Sequence, residues 1–379
     1  MSISAPLPFN EARLHEFVMK AVGEMGAAMN AALIVMGDKL GLYKAMADAG
    51  PMSSAELAAK TRTDERYVRE WLAAQAAGGF ITYDAATRKY TLPPEQAFAL
   101  AEENSPVFLP GFFHIVSACM KDEGKITEAF TTGKGVGWHE HDQCLFAGTE
   151  RFFRPNYRAH LISEWIPALG DTEAKLKAGA SVADVGCGLG TSTILMAQAY
   201  PKSTFVGTDY HDGSIQMARE AAKKAGVADR VKFEVAKAKD YPGNGFQLVA
   251  FFDCLHDMGD PEGAARHVHE TLAPDGAWMI VEPFANDNLE DNLNPVGRVY
   301  YAASTMLCTP ASKSQEVGLA LGAQAGEGRL KKILQSAGFT RVRRAAETPF
   351  NIVLEARASR INSYGGGKRL CGGRGRRRH

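Results

Sequence analysis

Val182-Ala183-Asp184-Val185-Gly186-Cys187-Gly188-Leu189-Gly190-Thr191 runs from a short apolar stretch into a carboxylate and then through three glycines at alternate positions. A helical pattern opens near Thr191. The order is strand, sharp turn, helix. Glycine lets the chain turn with positive φ and admits a ligand where a Cβ would collide. A nucleotide-like cofactor lying across that turn is the natural reading, since the first N–H groups of a helix attract polar ligand groups. The dinucleotide fingerprint G-x-G-x-x-G would put its third glycine at position 191, where this chain has Thr191. The spacing here is D-x-G-x-G-x-G, with Asp184 on the strand end.

Outward from this turn, strands alternate with helices, as in a doubly wound α/β sheet. Strands are expected at Val182–Val185, Thr204–Thr208, Val231–Val235, Leu248–Phe252, Trp278–Val281, Val342–Ala345 and Ile352–Glu355. Helices are expected near 191–199, 213–225, 261–272 and 328–337. Asp209 directly follows the second strand, where a carboxylate can accept hydrogen bonds from both ribose hydroxyls of a nucleoside. Its bland alternative is a turn or cap acid.

Toward the N-terminus, residues 11–50 carry helical patterning. Ser53 with Glu56 reads as a capping box, and Asp64 opens a longer helix ending at Gly78-Gly79. Phe80–Tyr83 and Lys89–Leu92 then flank a turn, so the order is that of a winged helix. Arg66 and Arg69 on the second helix stand among Asp64, Glu65 and Glu70, a poor face for phosphates. The apolar helices before the wing suit an interface between copies, so a dimerisation module is favoured over a DNA reader, and nucleic acid is not an expected partner. Residues 105–170 read as connecting helices, whose Phe152, Phe153 and Tyr157 form a core stripe or wall a pocket. His139-Glu140-His141 lacks a third ligand nearby and reads as a surface loop.

Composition sets outer bounds. With 379 residues, 45% apolar and 23% charged, the chain can bury large cores in two domains. No run of about eighteen apolar residues stands out, so no membrane span is expected. The N-terminus lacks a secretory pattern, and the six cysteines show no paired or metal-type spacing. A cytoplasmic protein with reduced thiols and no metal is expected. The last fifteen residues hold six of the 43 Lys and Arg and no acid, leaving 37 basic against 43 acidic residues in the remainder. That body is not a nucleic-acid binder by charge, and the Gly/Arg-rich tail at 359–379 reads as disordered.

Three further segments carry a family resemblance: Leu255-His256-Asp257-Met258-Gly259-Asp260-Pro261, Leu272-Ala273-Pro274-Asp275-Gly276 and Ile280-Val281-Glu282-Pro283. With the glycine turn and the winged helix, they resemble class I S-adenosylmethionine-dependent methyltransferases, in particular small-molecule O-methyltransferases and their bacterial regulator-like relatives. The resemblance implies a Rossmann-like seven-stranded sheet and a homodimer formed through the N-terminal domain. It implies S-adenosylmethionine as methyl donor and a small-molecule acceptor methylated at a hydroxyl oxygen. A regulator that binds DNA with S-adenosylmethionine as effector is the alternative.

The same resemblance makes His256 the general base, with Glu282 and Glu327 as acids that position it. Imidazole titrates near neutrality, and a phenolate is a far better nucleophile than a phenol. It places the donor on Asp184, Gly186, Gly188, Gly190, Thr191, Asp209, Tyr210, Asp240 and Asp253. Lys237 stands where relatives commonly carry an acid that pairs with adenine. Asp257 and Asp260 read as helix caps. The expected partition is 1–104 winged-helix domain, 105–170 connector and 171–358 catalytic domain. A helical lid is inserted at 284–325, where Tyr300, Tyr301 and Met306 are pocket walls or lid core.

Overall fold

The computed structural model describes residues 9–358, so the expected basic tail lies outside the described residues. The N-terminal part holds helices α1 (Glu11–Lys39), α2 (Leu42–Met46), α3 (Ser54–Thr61) and α4 (Glu65–Ala77), the hairpin β1 (Thr82–Asp84) and β2 (Lys89–Thr91), and α5 (Pro94–Leu100). Its boundaries follow from local chemistry. Ser53 and Glu56 cap α3 reciprocally, and the Asp64 side chain accepts the Arg66 and Tyr67 amides at the start of α4. Leu42, Tyr43, Leu57, Val68, Trp71 and Leu72 form the buried core beneath the wing. Only the end of α1 joins it, through Ile34 with Leu33 packed alongside. Taken whole, α1 is long and apolar enough to cross a membrane by length and composition, with a mean hydropathy of 1.3 over its most apolar stretch. That is a departure from the expectation of no such segment. The same helix is charged at Glu11, Arg13, Glu16, Lys20 and Glu24.

The connector is α6 (Pro110–Thr132) and α7 (Cys144–His160), which pass into a π-helical turn at Leu161–Trp165 and then α8 (Thr172–Ala178). Then come β3 (Ser181–Val185), α9 (Thr191–Ala199), β4 (Thr204–Asp209), α10 (Asp212–Lys224), β5 (Val231–Val235), β6 (Phe246–Phe252), α11 (Pro261–Thr271) and β7 (Leu272–Pro283). The lid follows as α12 (Pro295–Ala303), a π-helical turn at Ser304–Cys308 and α13 (Thr309–Lys313). The chain then closes the sheet through α14 (Glu327–Ser336), β8 (Phe339–Glu347) and β9 (Asn351–Ala358).

The seven strands lie in the order β5-β4-β3-β6-β7-β9-β8, parallel from β5 to β7, with β9 antiparallel to β7 and β8 antiparallel to β9. All seven expected strands are present. Strands covered on both faces read as continuous apolar runs, and Leu248–Phe251 and Ala277–Val281 are almost fully buried. Removing each such large side chain from water contributes about 1.5–3 kcal/mol. The strand order reverses between β3 and β6, so a crevice opens beyond their carboxyl ends.

Candidate active site

That crevice is a cavity of about 560 Å³ lined by the loops after β3, β4, β5 and β6 and roofed by α6, α7 and the lid. Its first end is the glycine turn. The amides of Gly186 and Cys187 both donate to the Thr208 carbonyl, at 2.8 and 2.9 Å, which ties the turn to β4. Gly188 has φ +52°, and a Cβ there would meet no protein atom within 4 Å, so its face is left to a ligand. Its amide donates to Asp209 Oδ2 at 3.0 Å, while Asp209 Oδ1 accepts the His211 amide at 2.9 Å. Burial pushes the Asp209 carboxyl upward.

The structure divides the expected donor residues. Gly186, Gly188, Thr191, Asp209, Tyr210 and Asp253 line the cavity. Gly190 does not: with φ +80°, its Cβ would lie 2.6 Å from Phe233 Cζ, so glycine there serves helix-on-strand packing. Asp240 does not line it either, since its Oδ1 turns back to accept the Lys237 amide at 3.0 Å. Asp184 is fully buried beneath the turn, where Oδ2 accepts from Ser192 and Thr193 hydroxyls at 2.6 Å. Burial raises its pKa to about 6. Its Oδ1 has no hydrogen-bond partner.

The second end is built on the chain beyond β6. His256 is 3% exposed, and its Nδ1 lies 2.7 Å from Glu282 Oε2. A carboxylate only accepts, so Nδ1 carries the proton and Nε2 is left for other work. Glu282 is held in turn by the Leu255 amide, which donates to Oε1 at 3.0 Å. Burial opposes charge on the ring, but the Glu282 and Asp257 carboxylates outweigh it and hold the His256 pKa well above the ordinary value. Asp253, at φ +51°, accepts the Tyr157 hydroxyl at 2.9 Å and the Asn351 amide at 2.8 Å. Burial and then the Glu282 charge raise it to about 7.

Several expectations require correction. Glu327 is not near His256: it pairs with Lys331 and Arg344 at the start of α14, because that helix packs under β8 rather than over the cavity. Asp260 caps α11 through the Gly263 amide at 2.8 Å, but Asp257 does not cap. Asp257 Oδ2 accepts from Trp138 Nε1 at 3.1 Å, and Oδ1 stands 3.1 Å from His256 Nε2 without hydrogen-bonding geometry. His141 is buried rather than on a surface loop, its Nδ1 3.1 Å from Asp122 Oδ2. Tyr300 lines the cavity and donates to the Phe350 carbonyl at 2.8 Å, while Tyr301 and Met306 stand outside it.

Sequence reasoning missed Glu150, which accepts the Thr191 hydroxyl at 2.9 Å, and Asn351 on Asp253. Neither sits in a motif. The wall between the two ends is aromatic and aliphatic, from Phe112, Ile115, Phe152, Phe153, Tyr157 and Leu307.

Comparison with known proteins agrees with this architecture. Residues 28–102 match the family described as an Rv2258c-like winged HTH domain, and residues 176–338 match a methyltransferase domain. The 27-O-demethylrifamycin SV methyltransferase of Amycolatopsis mediterranei is 36% identical over 107 residues, 28% of this chain and 39% of that protein. The chain spans between a quarter and just over two fifths of the length of the first curated relatives it matches. Among solved structures, an O-methyltransferase-like protein of Nostoc punctiforme superposes with a TM-score of 0.67 at 21% identity, covering 89% of this chain and 98% of that one. Human N-acetylserotonin methyltransferase in complex with SAM gives 0.65 at 14% identity, covering 94% and 99%. At these identities the structural likeness speaks for the fold.

Proposed function

The chain carries a methyltransferase domain behind a winged helix-turn-helix domain, and on that premise we propose that it moves a methyl group from S-adenosylmethionine to a hydroxyl oxygen of a small acceptor. The observation that carries the reading is the pairing, in one cavity, of the Asp209 turn at one end with the buried His256–Glu282 pair at the other. The residues fit the donor. Each Asp209 oxygen accepts one amide and keeps a lone pair for a ribose hydroxyl. The open face of Gly188 admits the ligand backbone-close, and Ala236 and Ala238 offer a flat apolar bed for adenine where Lys237 cannot accept from it. When bound, the donor supplies an electrophilic methyl on a cationic sulfur. His256 Nε2 takes the acceptor proton, Glu282 fixes the ring and balances its charge, and the aromatic wall holds the acceptor in line.

Calorimetry with S-adenosylmethionine, followed by a methyl-transfer screen over phenols, amines and carboxylates, tests this. Binding of the donor with transfer to hydroxyl compounds is expected. Tight NAD binding with no donor binding would end the reading.

The N-terminal domain serves association of two copies. Leu14, Phe17, Val18, Val22, Met25 and Met29 recur at three- and four-residue spacing along α1, and Phe17, Met25 and Met29 are 67%, 65% and 72% exposed. A stripe of that length is normally covered by a partner. Arg66 and Arg69 are tied to Glu70 and Glu65, which leaves α4 few free charges for phosphate. Phe17→Glu with Met25→Glu should convert a dimer to a monomer in sedimentation. An unchanged mass, or a salt-sensitive shift of DNA by the native chain, would count against this role.

A further inference from the structure

At the acceptor end of the cavity three different metal-binding atoms converge. A ring nitrogen of His256, a carboxylate oxygen of Asp257 and Cys308 Sγ all lie within 4.8 Å of one another, all three residues are buried, and His256 Nε2 is the nitrogen that faces Asp257. Cys308 closes the π-helical turn of the lid, so the third atom reaches the other two from a distant part of the chain. We propose that these three side chains form a site for a thiophilic divalent cation of the Zn²⁺ class, open on its fourth side to the cavity.

Four observations support it. Asp257 Oδ1 is buried, has no hydrogen-bond partner and already stands 3.1 Å from Nε2. The oxygen faces the ring without a well-formed hydrogen bond, and a cation between the two groups would satisfy it. His256 is presented as a ligand: its Nδ1–H is engaged by Glu282, which leaves Nε2, once it gives up its proton, to bind the cation, the arrangement that carboxylate–histidine–zinc triads use. The local charge is unbalanced as well. Asp253, Asp257 and Glu282 crowd one imidazole, and among the described residues no lysine or arginine forms an ion pair with any of them. Lastly, metal–ligand bonds of 2.0–2.3 Å in a tetrahedron put ligand atoms roughly 3.3–3.8 Å apart. The Nε2–Oδ1 pair at 3.1 Å is already near that spacing, and no separation among the three atoms exceeds 4.8 Å.

As the cation binds, the Cys308 thiol and the Nε2–H of the charged ring each release a proton to solvent, and Sγ, Nε2 and Oδ1 each donate an electron pair. Three protein ligands and one open position are the pattern of a reactive zinc rather than a structural one. The consequence for turnover rests on the reading of His256 as base: the cation takes the lone pair that would accept the acceptor's proton, so it inhibits transfer. The binding itself does not depend on that reading. Sequence spacing conceals the site, because Cys308 reaches the His256-Asp257 pair only through the lid.

The test uses the full chain, stripped with a chelator and titrated with Co²⁺ as a spectroscopic probe. One equivalent should produce tetrahedral d–d bands with a thiolate-to-cobalt charge-transfer band, and Zn²⁺ should bleach both. Cys308→Ser should remove the charge-transfer band, whereas Cys371→Ser and Cys144→Ser should retain it. Asp257→Asn should weaken Co²⁺ binding at least tenfold, and it supplies the answer should Cys308→Ser fail to fold. No Co²⁺ binding, or a thiolate band that survives Cys308→Ser, overturns the site and leaves the base role standing. Binding with these signatures but no inhibition of transfer by Zn²⁺ upholds the site and removes the base role.

Discussion

Replacing His256 with glutamine should lower methyl transfer by about 10²- to 10⁴-fold, the usual worth of a positioned base, and leave donor affinity within about twofold. Glutamine keeps much of the ring's volume and a donor for Glu282 but cannot take up a proton. The pH profile separates this role from a structural one. The ring is charged in the free chain at neutral pH, since Glu282 and Asp257 outweigh the penalty of burial. The neutral, basic form therefore grows as pH climbs toward the raised pKa, and kcat/KM should rise across and above pH 7. The sulfonium charge of the bound donor favours loss of the proton, so the limb for kcat should lie at lower pH than that for kcat/KM. A flat profile, or turnover kept in His256→Gln, would remove the assignment. The same raised pKa has a stability counterpart. The His256–Glu282 attraction is fully present below the ordinary imidazole value and is lost as pH rises through the folded-state value, so the melting temperature should fall on the alkaline side.

Asp209→Ala should weaken S-adenosylmethionine binding by about 10²-fold or more, read by calorimetry. Two hydrogen bonds to a charged acceptor are at stake, each worth about 1.5–3 kcal/mol. The loss extends beyond the ligand. The carboxylate also accepts the Gly188 and His211 amides, so its removal frees the glycine turn from the end of β4. Asp209→Asn should fall between, because an amide retains one acceptor oxygen. Unchanged donor affinity in the alanine variant would refute the ribose role. A collapse of thermal stability in both variants would show that the turn, rather than the ligand, is what Asp209 serves.

The sheet was legible because its signals are local. Apolar runs bounded by Gly, Pro and Asp fix each strand, and capping pairs such as Ser53 with Glu56 fix helix starts within a residue. The glycine turn and Asp209 were legible for the same reason, as adjacent elements put them together. What escaped depends on distant segments. Glu327 sits in a stretch that resembles a catalytic one, yet Arg344 on β8 draws it away from the cavity. Asp240 reads as a donor residue near Lys237, where relatives carry an acid, but the aspartate is spent on its own loop. His141 found Asp122 across two helices, and Asn351 found Asp253 across the sheet. No periodicity encodes such encounters.

The wide turn at Ser304–Cys308 has a consequence for how this protein can change. A π-helical turn holds one residue more than the α-helical turn it replaces. Deleting a single residue there would let α12 run on as regular helix and swing everything after it by about 100° relative to the cavity. Leu307 and Cys308 would leave the acceptor end together, with no side chain altered chemically. At this place in the fold, chain length is as strong a determinant of what the pocket accepts as residue identity.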